Sequence, residues 1–394
     1  MNNQLLQSRR SLWIFAGEPS GDVYGAGLAR QLRRLRPDLP LQGMGGDEMR
    51  RAGVDILVDS SDLAVVGLVE VVKNFHRFFR IFHDLRRRAL RQPPAAVVLI
   101  DYPGFNLRFA RAMRRAGIPV VYYVCPQVWA WGRRRIPRMA RDIDKMLALF
   151  PFEVEFLAGT GLDVEFVGHP LLEILEAARE SETRRDPRTL LILPGSRLNE
   201  VRRLLPDMLA AARRLKEGWP ELRIVVSLHS ETLRPAVELE MQRAAAADSR
   251  RLPVELVCGQ TRHWLQKAAA GIAASGTVTM EAAILGLPLT VVYRVNPLTY
   301  RIARRLVKIP YIAMPNLVAG ECVYDELIQG AVTPTAVAES VERILPGGSR
   351  VAEVERGMRR VVELLGCGEQ AGRKAAQAVL AVARPNLPTA DQPD

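Results

Sequence analysis

The chain has 394 residues, 48% of them hydrophobic and 25% charged, with a formal net charge of +12 at pH 7. That much apolar side chain offsets the entropy of folding and excludes a disordered protein, and the length exceeds one ordinary core, so two domains are expected. No apolar run approaches the roughly 20 residues of a membrane-spanning helix, four scattered cysteines fit neither a disulfide framework nor metal spacing, and the positive charge favours anionic partners.

In chain order, the first apolar run is "SLWIFA", which flows straight into "AGEPSGD" and the helical pattern "VYGAGLARQLRRL". It lacks a small-residue cleavage site and reads as a first core strand rather than a secretory leader. The glycines of the loop permit close backbone approach, and Glu18, Ser20 and Asp22 line it. Two acids oppose a bare pyrophosphate and the G-x-G-x-x-G spacing is absent, so a polar sugar pocket is the expectation. For Asp22 a plain helix cap stands beside that reading.

Between Ala64 and Leu90 the pattern turns amphipathic: Val65, Leu68, Val69, Val72, Phe75, Phe79 and Phe82 share a stripe that Phe78 widens, with Lys73, Arg77 and Arg80 opposite. The stripe reads either as core or as a basic interfacial helix that meets a membrane or an acyl chain. "AAVVLID" then predicts a buried strand with Asp101 at its carboxyl end, where partial desolvation would raise its pKa toward that of a general base. A turn-capping role is the alternative. "PVVYYV" and "KMLALF" continue the strand and helix alternation to "EFVGHP", and the tryptophans of "CPQVWAWGRRR" read as a buried pair. His169 reads as structural.

After the charged linker "EAARESETRRDPR" the rhythm restarts. "LILPGSRLNEV" is strand, glycine turn and helix, with Gly195, Ser196 and Arg197 at the helix N-terminus, where dipole and guanidinium act together on a phosphate. A loop arginine partnered by Glu200 is the other reading. In "IAASGTVTMEAA", Ser275, Gly276 and Thr277 open a helix toward a diphosphate, and Glu281 follows one turn on to accept ribose hydroxyls. Asn316 in "MPNLVAGE" and Gln329 offer amides. The alternation predicts an α/β protein of two Rossmann-like parallel-sheet domains with a cleft between them: residues 1–180 for acceptor and lipid, 187–345 for the nucleotide sugar, C-terminal helices over 346–382 and a disordered tail over 383–394. Few histidines and no paired acids at a strand end give no expectation of a metal.

Taken in order, "AGEPSGD", "AVVGLVEVV", "IDYPGFN", "VCPQVWAW", "LPGSRLNEV", "SGTVTMEAA", "YRVNPLTYRIARRLVK" and "MPNLVAGE" closely resemble the lipid-A-disaccharide synthases over nearly the whole chain. The resemblance implies a GT-B glycosyltransferase without metal or cofactor. It would move 2,3-diacylglucosamine from UDP-2,3-diacylglucosamine to the 6-hydroxyl of 2,3-diacylglucosamine 1-phosphate, with inversion to a β-1,6 linkage. Carried over by motif, Glu18 and Asp101 are the acceptor-side acids, with Asp101 the base; Arg197, Ser275, Thr277, Glu281 and Asn316 hold UDP. Where the family motif reads D-x-P-D-F-N this chain has Gly104, so Asp101 is the only acid of that motif. The resemblance also implies a homodimer exchanging C-terminal segments, and a cytoplasmic protein held peripherally on inner-membrane phospholipid. No nucleic-acid partner is expected. A UDP-N-acetylglucosamine 2-epimerase, the peptidoglycan lipid glycosyltransferase and a non-catalytic anion-binding module are the rival readings.

Overall fold

A computed structural model describes residues 10–60, 75–180, 184–246, 252–297, 300, 301, 304, 309–366, 371–383, 386 and 387. The chain forms two compact units, Met1–Pro170 with Gly368–Asp394, and Leu171–Cys367. The division between Pro170 and Leu171 falls ahead of the linker read at 176–188.

The first unit alternates β1 (Leu12–Ala16), α1 (Pro19–Leu35), β2 (Leu41–Gly45), α2 (Asp47–Arg51), β3 (Asp55–Asp59), α3 (Phe75–Arg91), β4 (Ala96–Ile100), α4 (Pro103–Arg115), β5 (Val120–Tyr123), α5 (Ile136–Asp142), β6 (Lys145–Ala148), α6 (Pro151–Leu157) and β7 (Val164–Phe166). Every residue of β1 and β4 is buried, as strands covered by helices on both faces require. The seven strands are parallel in the order β3-β2-β1-β4-β5-β6-β7. The winding reverses between β1 and β4, so the loops after these two strands flank the switch point where such sheets hold ligands. Trp13, Phe15, Phe109 and Tyr122 anchor the core.

The stripe expected of the amphipathic segment divides. Phe78 and Phe82 pack against the core, with Phe82 edge-on to Phe105 and Phe109, and Leu85 and Ala89 continue that face. Among the described residues of the stripe Phe79, 57% exposed and tilted against His83, faces outward. Core packing therefore claims Phe78 and Phe82, two of the four phenylalanines that suggested an interfacial helix. Val69 and Val72 lie outside the described residues, as does the side chain of Phe75.

The second unit carries α7 (Pro170–Ala177), β8 (Asp186–Leu193), α8 (Leu198–Gly218), β9 (Arg223–Leu228), α9 (Arg234–Ala246), β10 (Val254–Cys258), α10 (Thr261–Lys267), β11 (Ala268–Ala274), α11 (Thr277–Leu285), β12 (Leu289–Tyr293), α12 (Met314–Ala319), β13 (Asp325–Ile328), α13 (Pro334–Glu342) and α14 (Val351–Leu364). Its sheet is parallel in the order β10-β9-β8-β11-β12-β13, with the switch point between β8 and β11. Arg185, largely buried, donates to the carbonyls of Leu265, Ala268 and Leu285 and braces the start of the unit against β11 and α11.

The last helix, α15 (Ala371–Ala383), belongs to the first unit, whereas α14 belongs to the second. Its alanine-rich face, with Ala375, Ala376 and Val379 fully buried, lies on α1 and reaches β4 and β5. Beyond it Asn386, inside the stretch expected to be disordered, donates to the Ala95 carbonyl and accepts from Arg10. An unpaired charge in that contact is costly: Val379→Asp should lower stability by about 3–5 kcal/mol, read as a downshifted first calorimetric transition. An unchanged transition would mean that α15 is not docked on α1.

Candidate active site

In the first unit the switch point is built from two turns. Ala16 and Ile100 are paired in register, so Gly17-Glu18 and Asp101-Tyr102 emerge side by side. Glu18 is the exposed N-cap of α1, with Pro19 fixing the first helical position. Asp101 and Tyr102 both adopt positive φ, 45° and 48°, a conformation costing roughly 1–3 kcal/mol for each non-glycine residue. Side-chain donors hold the turn open: the Asp101 carbonyl accepts from the Asn106 amide at 2.8 Å and the Tyr122 hydroxyl at 2.6 Å, and Asn106 also donates to the Ile100 carbonyl. Gly17 is required for a related reason. A Cβ there would stand 2.5 Å from the Tyr102 ring, so the glycine makes room for that side chain rather than for a ligand.

The Asp101 carboxyl is pushed up to about 6, first by burial and then by the negative charge of Glu18, against a hydrogen bond from the Tyr102 N–H. It is a proton acceptor tuned close to neutrality, with a second carboxylate beside it. Gly104, on the first turn of α4, has open space where a side chain would stand, so packing does not forbid an acid there.

Asp22 does cap a helix, but not its own. Buried, it accepts from the backbone N–H groups of Gly46, Glu48 and Met49 at 2.7, 3.0 and 3.2 Å and closes the start of α2. Ser20 stands exposed on the first turn of α1. His169 is buried against Phe150 and Tyr24, and burial lowers its pKa to about 3, so it is a neutral ring. Sequence reading passed over Glu153, whose carboxyl burial raises to about 8 while it accepts from Leu149, Phe150 and the Trp129 indole. Its signal was an acid at the third position of a helix opened by Pro151. Trp131 corrects the expected buried pair, being 48% exposed.

In the second unit the two helices at the switch point differ. At α8, Gly195 has φ 109° and the Glu200 carboxylate folds back to accept from the N–H groups of Ser196 and Arg197 at 3.0 and 3.3 Å. Arg197 points outward, three-quarters exposed, and pairs with Glu200 at 3.0 Å, so the partnered reading holds in this structure. At α11 no carboxylate intervenes. Ser275 is half-buried, its N–H donating to Val292, while Gly276 and Thr277 are exposed with open space beside the glycine. Glu281 is half-buried, and burial raises its pKa against the opposing charges of Arg262, 3.5 Å away, and His229. Neither Arg262 nor His229 was singled out from sequence; His229 had a signal, directly following an apolar strand.

Two amides assigned to the nucleotide are used internally. Asn316, fully buried, donates to the Tyr324 carbonyl and Glu326 and accepts from the Tyr324 N–H, all at 2.8 Å. Gln329 exchanges hydrogen bonds with both backbone groups of Val295.

Two Rossmann-type sheets, each with polar groups at its switch point, define the class of GT-B proteins. Solved structures agree at the level of fold: UDP-GlcNAc 2-epimerase from Neisseria meningitidis bound to UDP-GlcNAc superposes with TM-score 0.59 at 14% identity, covering 95% of this chain and 99% of that one. UDP-glucose:anthocyanidin 3-O-glucosyltransferase in complex with UDP gives 0.61 at 11% identity, covering 96% and 100%. The family model described as lipid-A-disaccharide synthetase matches residues 12–382. Lipid-A-disaccharide synthases of Koribacter versatilis and Trichlorobacter lovleyi are 42% and 39% identical, over 94% and 95% of this chain and 98% and 97% of theirs. The chain belongs to the lipid-A-disaccharide synthase family, and it is a glycosyltransferase.

A raised carboxyl pKa means that folding favours the protonated acid. Asp101 therefore contributes stability below about pH 4 that is lost as pH rises through about 6. Asp101→Asn should accordingly be more stable than the parent at pH 7.5, on the order of 1–3 kcal/mol because the carboxyl is only part-buried, with the difference vanishing by pH 4. Denaturant melts at the two pH values measure this; an equal difference at both would show that Asp101 is not so perturbed.

Proposed function

We propose that this chain transfers 2,3-diacylglucosamine from its UDP derivative to the 6-hydroxyl of 2,3-diacylglucosamine 1-phosphate, releasing UDP and the β-1,6 disaccharide 1-phosphate. The observation that carries this reading is the Asp101 carboxyl, tuned to about 6 beside Glu18 at the switch point of the first sheet. In the proposed step the acceptor oxygen attacks the anomeric carbon of the donor as Asp101 takes its proton. The bond from that carbon to the β-phosphate oxygen breaks, and its electron pair leaves with UDP, giving inversion. The open N-terminus of α11 at Ser275–Thr277, with Arg197 released from Glu200, would stabilise the charge growing on the diphosphate. Glu281 would accept the ribose hydroxyls. An epimerase takes no acceptor and would form no disaccharide from these two lipids.

Mass spectrometry of purified protein with both lipid substrates in detergent should show the tetraacyl disaccharide 1-phosphate and UDP, with EDTA leaving the yield unchanged. The rate constant kcat/KM should rise with pH through about 6. Asp101→Ala should cut turnover by roughly 10²–10⁴ while UDP binding survives, and Arg197→Ala should weaken both together. Near-parental turnover in Asp101→Ala would remove it as the base.

Membrane attachment is part of the same proposal. No helix among the described residues is long and apolar enough to span a bilayer. Peripheral contact with the inner-membrane surface would use the segment from Val69 to Phe82, through Phe79, Arg77 and Arg80. Sedimentation with anionic vesicles should capture the protein, and Arg77→Gln with Arg80→Gln should weaken capture by roughly fivefold per charge. A protein that stays in the supernatant would overturn this part. In a dimer exchanging C-terminal segments, α15 would make on a partner the contact that it makes here on its own α1.

A further inference from the structure

Past β5 the chain runs through Cys125–Gly132 into a single 3-10 turn, Arg133–Arg135, and then α5. Arg133, Arg134, Arg135 and Arg138 crowd this short stretch. Nearby basic residues are neutralised: Arg114 pairs with Asp144, and Lys145 with Asp163 and Glu165. Among the described residues, none of the four clustered arginines pairs with a carboxylate. Two lie on aromatic rings instead, Arg133 over Phe156 at 4.7 Å and Arg135 over the exposed Trp131 at 4.6 Å. Stacking of this kind fixes the guanidinium plane and leaves its in-plane donors open. Clustered cations without counter-charges repel one another, and a dianion relieves that repulsion.

The cluster adjoins the acid site. β4 and β5 are neighbours in register, and the Tyr122 hydroxyl, which donates to the Asp101 carbonyl, lies within the electrostatic reach of Arg135. Adjacent strands are roughly 4.8 Å apart, so the loops after β4 and β5 are separated by about the width of one sugar ring. With the acceptor 6-hydroxyl at Asp101, the phosphate sits on the anomeric carbon, across the ring oxygen from the carbon that carries the hydroxymethyl group, and so within about one ring width of the base.

We propose that Arg135, held over the Trp131 ring within the Arg133–Arg138 cluster, binds the anomeric phosphate of the acceptor and selects phosphorylated over unphosphorylated acceptors. The inference rests on the acceptor-side reading of Asp101 given above. A phosphomonoester carries close to two negative charges near neutrality, which suits a fork of donors in a field of neighbouring cations.

The test compares 2,3-diacylglucosamine 1-phosphate with the same lipid lacking the phosphate, each with UDP-2,3-diacylglucosamine, by mass-spectrometric initial rates. The parent should prefer the phosphorylated acceptor. Arg135→Ala should lose about ten- to a hundredfold in kcat/KM for it, mostly through KM, while the unphosphorylated acceptor changes by no more than about twofold. Arg135→Lys should recover part of the preference, and Arg141→Ala, farther along α5, should keep it. Equal slowing of both acceptors by Arg135→Ala, as a structural or membrane-binding role would give, overturns the proposal, and so does an intact preference. A folded parent that binds UDP yet makes no disaccharide from either acceptor overturns the acceptor reading, and this inference with it.

Discussion

The reactive half of the first unit depends on one constraint, a turn that puts two successive non-glycine residues in the left-handed region. Left alone, Asp101 and Tyr102 would relax toward ordinary backbone and swing the carboxyl away from Glu18. The Asn106 amide and the Tyr122 hydroxyl prevent this by donating to the Asp101 carbonyl, and a glycine at 17 gives the Tyr102 ring its place. Strain, burial and the adjacent acid thus share one origin. The conformation that aims the Asp101 carboxyl also brings it beside Glu18 and partly out of water, and those two effects raise its pKa.

Carboxylates serve a second purpose throughout the chain, as internal anions that satisfy backbone donors. Asp22 closes α2, Glu200 closes α8, Glu153 receives the donors after β6, and Glu326 accepts from Ile312 and Ala313 ahead of α12. Each substitutes for the water or ligand that a helix start or loop would otherwise need. The contrast identifies α11. Its N-terminus sits at a switch point with no acid folded over it, so it keeps the donors that a phosphate requires, while at α8 a phosphate must compete with Glu200.

The alternation of strands and helices was legible because apolar runs such as Leu12–Ala16 and Ala96–Ile100 are bounded by Gly, Pro and acids, and the polar residue after a buried strand falls at the carboxyl edge. The place of Asp101 at the carboxyl edge of the first sheet was therefore readable from position alone, with a turn-capping role open beside that of a base. What was not readable depends on partners remote in sequence. Nothing local links Asp22 to the N–H groups of residues 46–49, or Asn316 to Tyr324 and Glu326, and an amide in an apolar motif looks alike whether it meets a ligand or the protein's own backbone. The stripe from Val65 to Phe82 was open for a different reason. Helical spacing gives the apolar face but not what covers it, and the core of the first unit, with Phe105 and Phe109 of α4, covers Phe78 and Phe82.

The two switch points are built on opposite electrostatics. In the first, Glu18 raises the proton affinity of Asp101, which suits removal of a proton and opposes any diphosphate. In the second, Arg197, Arg262 and His229 surround the acids, and α11 adds the positive end of its dipole, which suits a leaving group gaining negative charge and would weaken a base. One switch point could not suit both, because the charge that tunes Asp101 upward would repel a diphosphate, and cations that attract a diphosphate would pull the Asp101 carboxyl back to an ordinary value. With the two fields on different sheets, each is set by its own neighbours. The arginines follow the same division: those that brace the fold, such as Arg185, are used on carbonyls, while the cluster at Arg133–Arg138, which pairs with no carboxylate among the described residues, stands on the unit whose switch point is otherwise acidic.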